Sequence, residues 1–180
     1  MTTQIDGSKH KVFVYGTLLE GLENSFLLQN ETKVNIGVTV EEFYMVANLT
    51  FRRTSEVSAY EPTAFEPQDK YAFPFLMRKP ISEAHMKHRI VGEVYEVSSE
   101  TLNRLDVLED HPRSYMREKI KVENLDDGSI CDADVYLLKS DKIFQEISLA
   151  ITSNKDFPCY YSLVKVGSWR EYLKTLVDRE

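Results

Sequence analysis

Apolar and polar positions along the chain change period several times, and each change marks an element. Val12-Phe13-Val14-Tyr15 is a short apolar run, the length of a buried strand rather than a helix. Gly16 interrupts it. Glycine allows a sharp turn and lets another group approach the main chain closely. Thr17 with Glu20 three positions on has the spacing of a capping box. Asn24 to Gln29 reads as a short helix capped by Asn24 or Ser25. Thr32 to Val40 and Glu42 to Leu49 are rich in Val, Ile, Phe and Tyr and read as two strands.

From about residue 50 to 88 the periodicity fails, and Pro62, Pro67, Pro74 and Pro80 punctuate the stretch. It is expected to be an irregular excursion that shapes access to a pocket, with Phe73-Pro74-Phe75-Leu76-Met77 docking on the core. Arg89 to Val97 returns to strand character. Ser98 or Ser99 then caps a helix that runs to about Glu109 or Asp110, and Pro112 stops it. Tyr115 to Val122 and Ser129 to Lys139 are a hairpin around Asp126-Asp127-Gly128, with Cys131, Ala133, Val135 and Leu137 on one face. Ile143, Ile147, Ala150 and Ile151 form a stripe on a helix at about 140–152. Ser168 and Glu171 cap a last helix at about 168–178, with Trp169, Tyr172, Leu173 and Leu176 on its apolar side. Mostly antiparallel sheet with a few helices is an α+β arrangement. The expected organisation is a flexible tail over residues 1–10 and a single domain over 11–180.

At 180 residues the chain is long enough to bury about 70% of its unfolded surface. Twenty-two basic against 29 acidic side chains leave a formal charge of −7, with no basic run beyond Lys87-His88-Arg89. Nucleic acid and anionic membrane are therefore poor partners. Two cysteines, Cys131 and Cys159, suit free thiols in a reducing compartment, and residues 1–11 show no apolar signal segment, so a cytoplasmic location is expected. No apolar run reaches the length of a membrane-spanning helix.

The helix near residue 100 carries the most informative chemistry. Leu102, Leu105 and Leu108 mark its expected buried face, and Glu109 falls about 40° from the centre of that stripe. Asp106 falls about 100° away, and Asp110 further. A carboxylate on the core side in the last helical turn is disfavoured by burial and by the helix dipole, and both raise its pKa. That suits a group that takes and returns a proton near neutral pH. The plainer reading is that Glu109 ends the helix and salt-bridges Arg113 or Arg117. Other constellations are weaker. Glu83, His85 and His88 lack a full ligand set for a metal. A Cys159–His111 nucleophile pair has no local signature. Gly16-Thr17 lacks the second glycine and the lysine of a phosphate loop.

Taken in order, Val12-Phe13-Val14-Tyr15-Gly16-Thr17-Leu18, Gly92-Glu93-Val94-Tyr95, Leu105-Asp106-Val107-Leu108-Glu109, then Pro112, Tyr115 and Arg117 make the chain resemble the gamma-glutamylcyclotransferase-like family, which includes gamma-glutamylaminecyclotransferases and plant avirulence-induced-gene-like proteins. The resemblance spans about 12–28 and 89–138. It implies a small mixed β-barrel flanked by helices, with a cavity at the barrel mouth. It implies Glu109 as general acid/base, Tyr15, Gly16, Thr17 and Leu18 as the substrate-binding loop, and Tyr115 beside the substrate. It also implies a small-molecule gamma-glutamyl substrate and release of 5-oxoproline, with no metal or cofactor required. Family members often have glycine after this glutamate, where this chain has Asp110. A non-catalytic small-acid-binding module and a protein-interaction module on the same fold remain open at this point.

Overall fold

The computed structural model describes residues 8–49, 72–153 and 160–177. Seven strands and three helices follow in the order β1 (Lys9–Val14), β2 (Thr32–Leu49), β3 (Ala72–Met77), β4 (Lys87–Ser98), α1 (Ser99–Leu108), β5 (Tyr115–Asn124), β6 (Ile130–Leu138), α2 (Asp141–Ser153), β7 (Tyr160–Leu163) and α3 (Trp169–Val177). Strands pair in the order β3-β2-β4-β1-β6-β5, and β5 also pairs with β2. That last pairing, Gly37 opposite Asn124 through Thr39 opposite Val122, closes β2, β4, β1, β6 and β5 into a five-stranded barrel. Closure removes the open strand edges that would otherwise recruit other chains. The barrel is mixed because β1 runs parallel to β6 while the other pairs are antiparallel. The α+β barrel with flanking helices matches the expectation.

β1 starts at Lys9, inside the stretch expected as tail. Thr17 and Glu20 do not cap a helix. The chain from Gly16 to Asn24 is a series of turns, closed by Leu19 N–H to Gly16 O at 3.0 Å and Asn24 N–H to Thr17 O at 2.9 Å. The short helix after it is a 3-10 turn over Ser25–Leu28, and its Asn24 side chain makes no cap. Instead Asn24 Nδ2 donates to Thr17 Oγ1 at 2.9 Å.

The two strands expected over 32–49 are one strand of 18 residues, with bulges between Lys33 and Asn35 and between Val38 and Glu42. The polar break at Glu41–Glu42 is the second bulge rather than a chain reversal. Buried Thr39 supplies what the ladder loses there: its hydroxyl accepts from Ile90 N–H at 2.8 Å, and its carbonyl accepts from Arg89 Nε at 2.7 Å.

The excursion at 50–88 is less irregular than its prolines suggested. Residues 72–77 are a strand and 87–88 open β4, while 50–71 lie outside the described residues. Pro74 is tolerated inside β3 because, among the described residues, β3 is the last strand on its side of the sheet, where an N–H is dispensable. Ser98 caps α1, accepting Thr101 N–H at 3.2 Å.

Val12, Met45, Leu76, Ile90, Val94, Leu105 and Val135, from barrel strands, β3 and α1, share one apolar core cluster. A second cluster joins Val46, Phe75, Met77 and Ile147 under α2. Full burial of one such side chain stabilises the fold by about 1.5–3 kcal/mol. No helix among the described residues is long and apolar enough to cross a membrane.

Candidate functional site

The end of α1 brings Glu109 within electrostatic range of Tyr15 and Tyr115. α1 buries Thr101, Leu102 and Leu105, while Val107 is 82% and Leu108 41% exposed. The buried arc is thus rotated away from Leu108, which was expected inside. At about 100° per residue, Glu109 lies on the same arc as Leu102 and Leu105. Glu109 caps the helix, its N–H donating to Leu105 O at 2.9 Å. Burial pushes its carboxyl pKa up to about 7, and among the described residues no ion pair offsets that cost.

The plainer role for Glu109 does not occur. Arg113 donates to Asp110, Nε to Oδ1 at 2.9 Å, and Arg117 Nε lies 3.4 Å from Asp106 Oδ1. Both arginines are held by other acids, and Glu109 is left without a counter-charge from either. Asp110, where the resemblance led to glycine being expected, adopts φ 47°, the left-handed region. Aspartate holds that conformation because its side chain bonds locally, accepting from Arg113 and from Ser114 Oγ at 2.7 Å.

Three tyrosines lie within electrostatic reach of the Glu109 charge. Tyr15, Tyr115 and Tyr136 all have hydroxyls raised above the ordinary phenol range, first by burial and also by that carboxylate. Tyr15 closes the end of β1 and donates to the Tyr136 carbonyl at 2.8 Å. Tyr136 in turn donates its own hydroxyl to Asp106 Oδ1 at 2.6 Å. Tyr115 stacks on Phe75, ring centroids 6.0 Å apart and planes 6° from parallel. Phase alone concealed Tyr136. It lies on the face of β6 opposite the Cys131, Ala133, Val135 and Leu137 stripe read from the sequence, and it is only 3% exposed. The signal available was an aromatic residue two positions past Asp134 and four past Asp132, on the face those two acids share. Phe75 and Tyr161, which lie 6.3 Å apart, come from segments with no site motif.

The Tyr15-Gly16-Thr17-Leu18 stretch runs from this cluster into the turn. Among the described residues, the N–H groups of Gly16, Thr17 and Leu18 donate to no backbone or side-chain acceptor. Such a row of amides suits an anion or a developing oxyanion. Gly16 is needed for space rather than for an unusual φ: a Cβ there would stand 2.7 Å from Pro74 Cγ. β3 therefore packs its proline ring onto the turn.

The remaining candidates do not converge. His85 is buried, with Nδ1 accepting Ile81 N–H at 3.2 Å and Nε2 3.0 Å from Met45 O. Both ring nitrogens are engaged, which leaves nothing for a metal, and burial lowers its pKa. Among the described residues no three metal-ligating side chains cluster. His111 Nδ1 accepts Arg117 N–H at 3.2 Å, and Cys159 lies outside the described residues. Cys131 is half-buried on the barrel strand β6. A groove of about 480 Å³ beside the 3-10 turn is lined by Glu20, Phe26, Glu31, Lys33 and Tyr95 among others, and by none of the residues around Glu109.

Comparison with known proteins shows the family and the fold. Residues 12–158 match the family described as gamma-glutamyl cyclotransferase, AIG2-like. A putative gamma-glutamylcyclotransferase of Methanocaldococcus jannaschii is 32% identical over 126 residues, covering 69% of this chain and 81% of the relative. Gamma-glutamylaminecyclotransferase C of Danio rerio is 34% identical over 133 residues, covering 72% and 75%. The crystal structure of an AIG2-like protein from Mus musculus superposes with a TM-score of 0.52 at 27% identity, over 73% of this chain and 78% of that one.

Proposed function

This chain belongs to the gamma-glutamyl cyclotransferase, AIG2-like family, and we propose that it is itself a cyclotransferase acting on a small gamma-glutamyl compound. The observation that carries the reading is Glu109: a carboxyl raised to about 7 by burial, without a structural partner among the described residues, beside Tyr15, Tyr115 and the free amides after Gly16.

In this reading the substrate's α-amine attacks its own γ-carbonyl. A carbon–nitrogen bond closes the five-membered ring of 5-oxoproline, and the original γ-amide bond breaks to release an amine or amino acid. The α-amine arrives as an ammonium, and its positive charge beside Glu109 favours the carboxylate form. Glu109 takes one ammonium proton so that the nitrogen can attack and returns it to the departing nitrogen. The second ammonium proton follows the same route as the lactam N–H forms, so the amine product leaves as an ammonium and Glu109 ends as a carboxylate. A general acid/base of this kind contributes about 10²–10⁴-fold. The Gly16, Thr17 and Leu18 amides hold the oxygen as it gains charge, one such donor contributing about 10²–10³-fold. Tyr15, Tyr115 and Tyr136 wall the site, exclude water and fold the substrate into its attacking shape. No step calls for a metal or cofactor. A cytoplasmic site of action belongs to the same proposal, supported by the free thiol of Cys131.

Incubation with a panel of gamma-glutamyl amino acids, gamma-glutamyl amines and glutathione, followed by assay of 5-oxoproline, tests the reading and identifies the leaving group. Release from at least one class, lowered about 10²-fold or more in Glu109→Gln, is the expected result. Retained binding of gamma-glutamyl compounds with no 5-oxoproline would instead favour a small-acid-binding module.

A further inference from the structure

Outside the cluster around Glu109, the most heavily bonded buried charge among the described residues is Glu93. Its side chain is 6% exposed and lies on β4, opposite Val14, the last residue of β1 before the site turn. One carboxylate oxygen accepts Glu20 N–H at 2.9 Å and the Tyr95 hydroxyl at 3.1 Å. The other accepts Arg170 Nη2 at 3.1 Å. The same Arg170 nitrogen donates to the Glu20 carbonyl at 2.6 Å. The peptide groups on both sides of Glu20 are therefore gripped by one ion pair, a buried carboxylate and a half-exposed guanidinium, two residues past Leu18.

We propose that Arg170, acting through Glu93, is a positioning residue that holds the Gly16–Glu20 turn so that its free amides face the reacting carbonyl. The proposal rests on the cyclotransferase reading above. Three features make the clamp rigid. The entry to α3 is fixed on β4, where Val91 N–H donates to Gly167 O at 2.7 Å and a Cβ on Gly167 would stand 2.2 Å from Arg89 O. Trp169 and Tyr172, stacked at 5.3 Å and buried, dock the helix independently of Arg170. β4 meets the end of β1 closely, since a Cβ on Gly92 would stand 2.3 Å from Val14 O. Arg170 lies beyond residue 158, where the family match ends. The motif residues thus supply the turn and Glu93, and the C-terminal helix completes the grip.

Amides aimed at a developing oxyanion act more strongly in the transition state than on the bound substrate. Loosening the clamp should therefore lower kcat more than it raises KM. Arg170→Met keeps the stem and removes the charge. Its kcat should fall about 10–10²-fold, the scale of a small misplacement of catalytic groups, with KM changed less. Arg170→Lys, whose ammonium also offers several donors, should restore most of the loss. Lys174→Met, an exposed change one turn further along α3, should leave turnover unchanged. Amide hydrogen exchange supplies a readout independent of activity: exchange at Glu20 should quicken in Arg170→Met while the β1 amides of Val12 and Phe13 do not change. If Arg170→Met fails to fold, Glu93→Gln, which keeps the acceptors toward Glu20 and Tyr95 but drops the charge facing Arg170, carries both measurements. A kcat within twofold of the parent, or unchanged Glu20 exchange, overturns the proposal. Absence of turnover in the parent protein on every gamma-glutamyl compound overturns the cyclotransferase reading instead, and the exchange rates then decide whether the clamp exists.

Discussion

At the scale of single residues, Glu109 has two consequences that can be separated by pH. Its carboxyl is raised from 4.5 to about 7, so the folded protein holds this proton more tightly than the unfolded chain does. The group therefore costs nothing at pH 4, costs progressively more as pH rises from about 4.5, and imposes its full penalty above about 7, on the order of 3 kcal/mol. Glu109→Gln should match the parent in thermal stability at pH 4 and exceed it at pH 8, while turnover is lost. In the parent, kcat/KM should fall on the acid side with an apparent pKa near 7, since the base must be ionised in the free enzyme. A profile flat down to pH 5 would remove Glu109 from that role. Asp110 offers a second residue-scale test. Its φ of 47° costs a non-glycine residue about 1 kcal/mol, and its bonds to Arg113 and Ser114 offset this. Asp110→Gly should be near neutral in denaturant unfolding. Asp110→Ala, which keeps the strain and loses the bonds, should unfold at lower denaturant than Asp110→Gly.

At the scale of elements, the contact between β3 and the site turn is the sensitive one. Gly16→Ala drives a methyl to 2.7 Å from Pro74 Cγ, so either the turn or β3 must move. Turnover should drop by about tenfold or more, because misplaced amides are poor catalysts even when the protein remains folded. Pro74→Ala removes the ring that causes the clash. The double variant should recover part of the loss, and a coupling energy clearly different from zero in kcat/KM would measure the contact. Simple additivity of the two changes would show that Gly16 serves some other purpose. The same contact explains why β3 could not be read from local signals. Its proline and its neighbours at 67 and 80 argue for loop, and only its place at the sheet edge permits a strand.

At the scale of the whole molecule, barrel closure depends on β5 lying close over β2. A Cβ on Gly37 would stand 2.5 Å from Val122 Cγ1 and 3.0 Å from the Glu123 carbonyl. Gly37→Ala should therefore strain the seam itself. The expected cost is about 1–3 kcal/mol, as for other overpacking changes. Because β2 pairs with β4, β3, β7 and β5, the loss should appear as one cooperative shift of the denaturant midpoint rather than as local fraying. Unchanged stability would mean that the seam opens without consequence.

Period and punctuation in the sequence were sufficient for most elements, because amphipathic stripes and caps are local. Ser98 at the head of α1, the Asp126-Asp127-Gly128 hairpin with Gly128 at φ 72°, and the stripe of Ile143 and Ile147 all depend on residues a few positions apart. The order of short motifs likewise singled out Glu109, Tyr15 and Tyr115 before any fold was known. Three matters depended on contacts distant in sequence. Leu108 turned outward and Glu109 inward because the surface that α1 covers, not the helix itself, decides which arc is buried. The strand expected to end at Val40 continued because Thr39 satisfies Ile90 and Arg89, some 50 residues away. Tyr136 is buried because the end of its strand, Val135 to Leu137, is covered on both faces, so its alternation with Val135 does not place it in water. Local chemistry is written in neighbouring residues, whereas burial is a property of whichever distant segment lies on top.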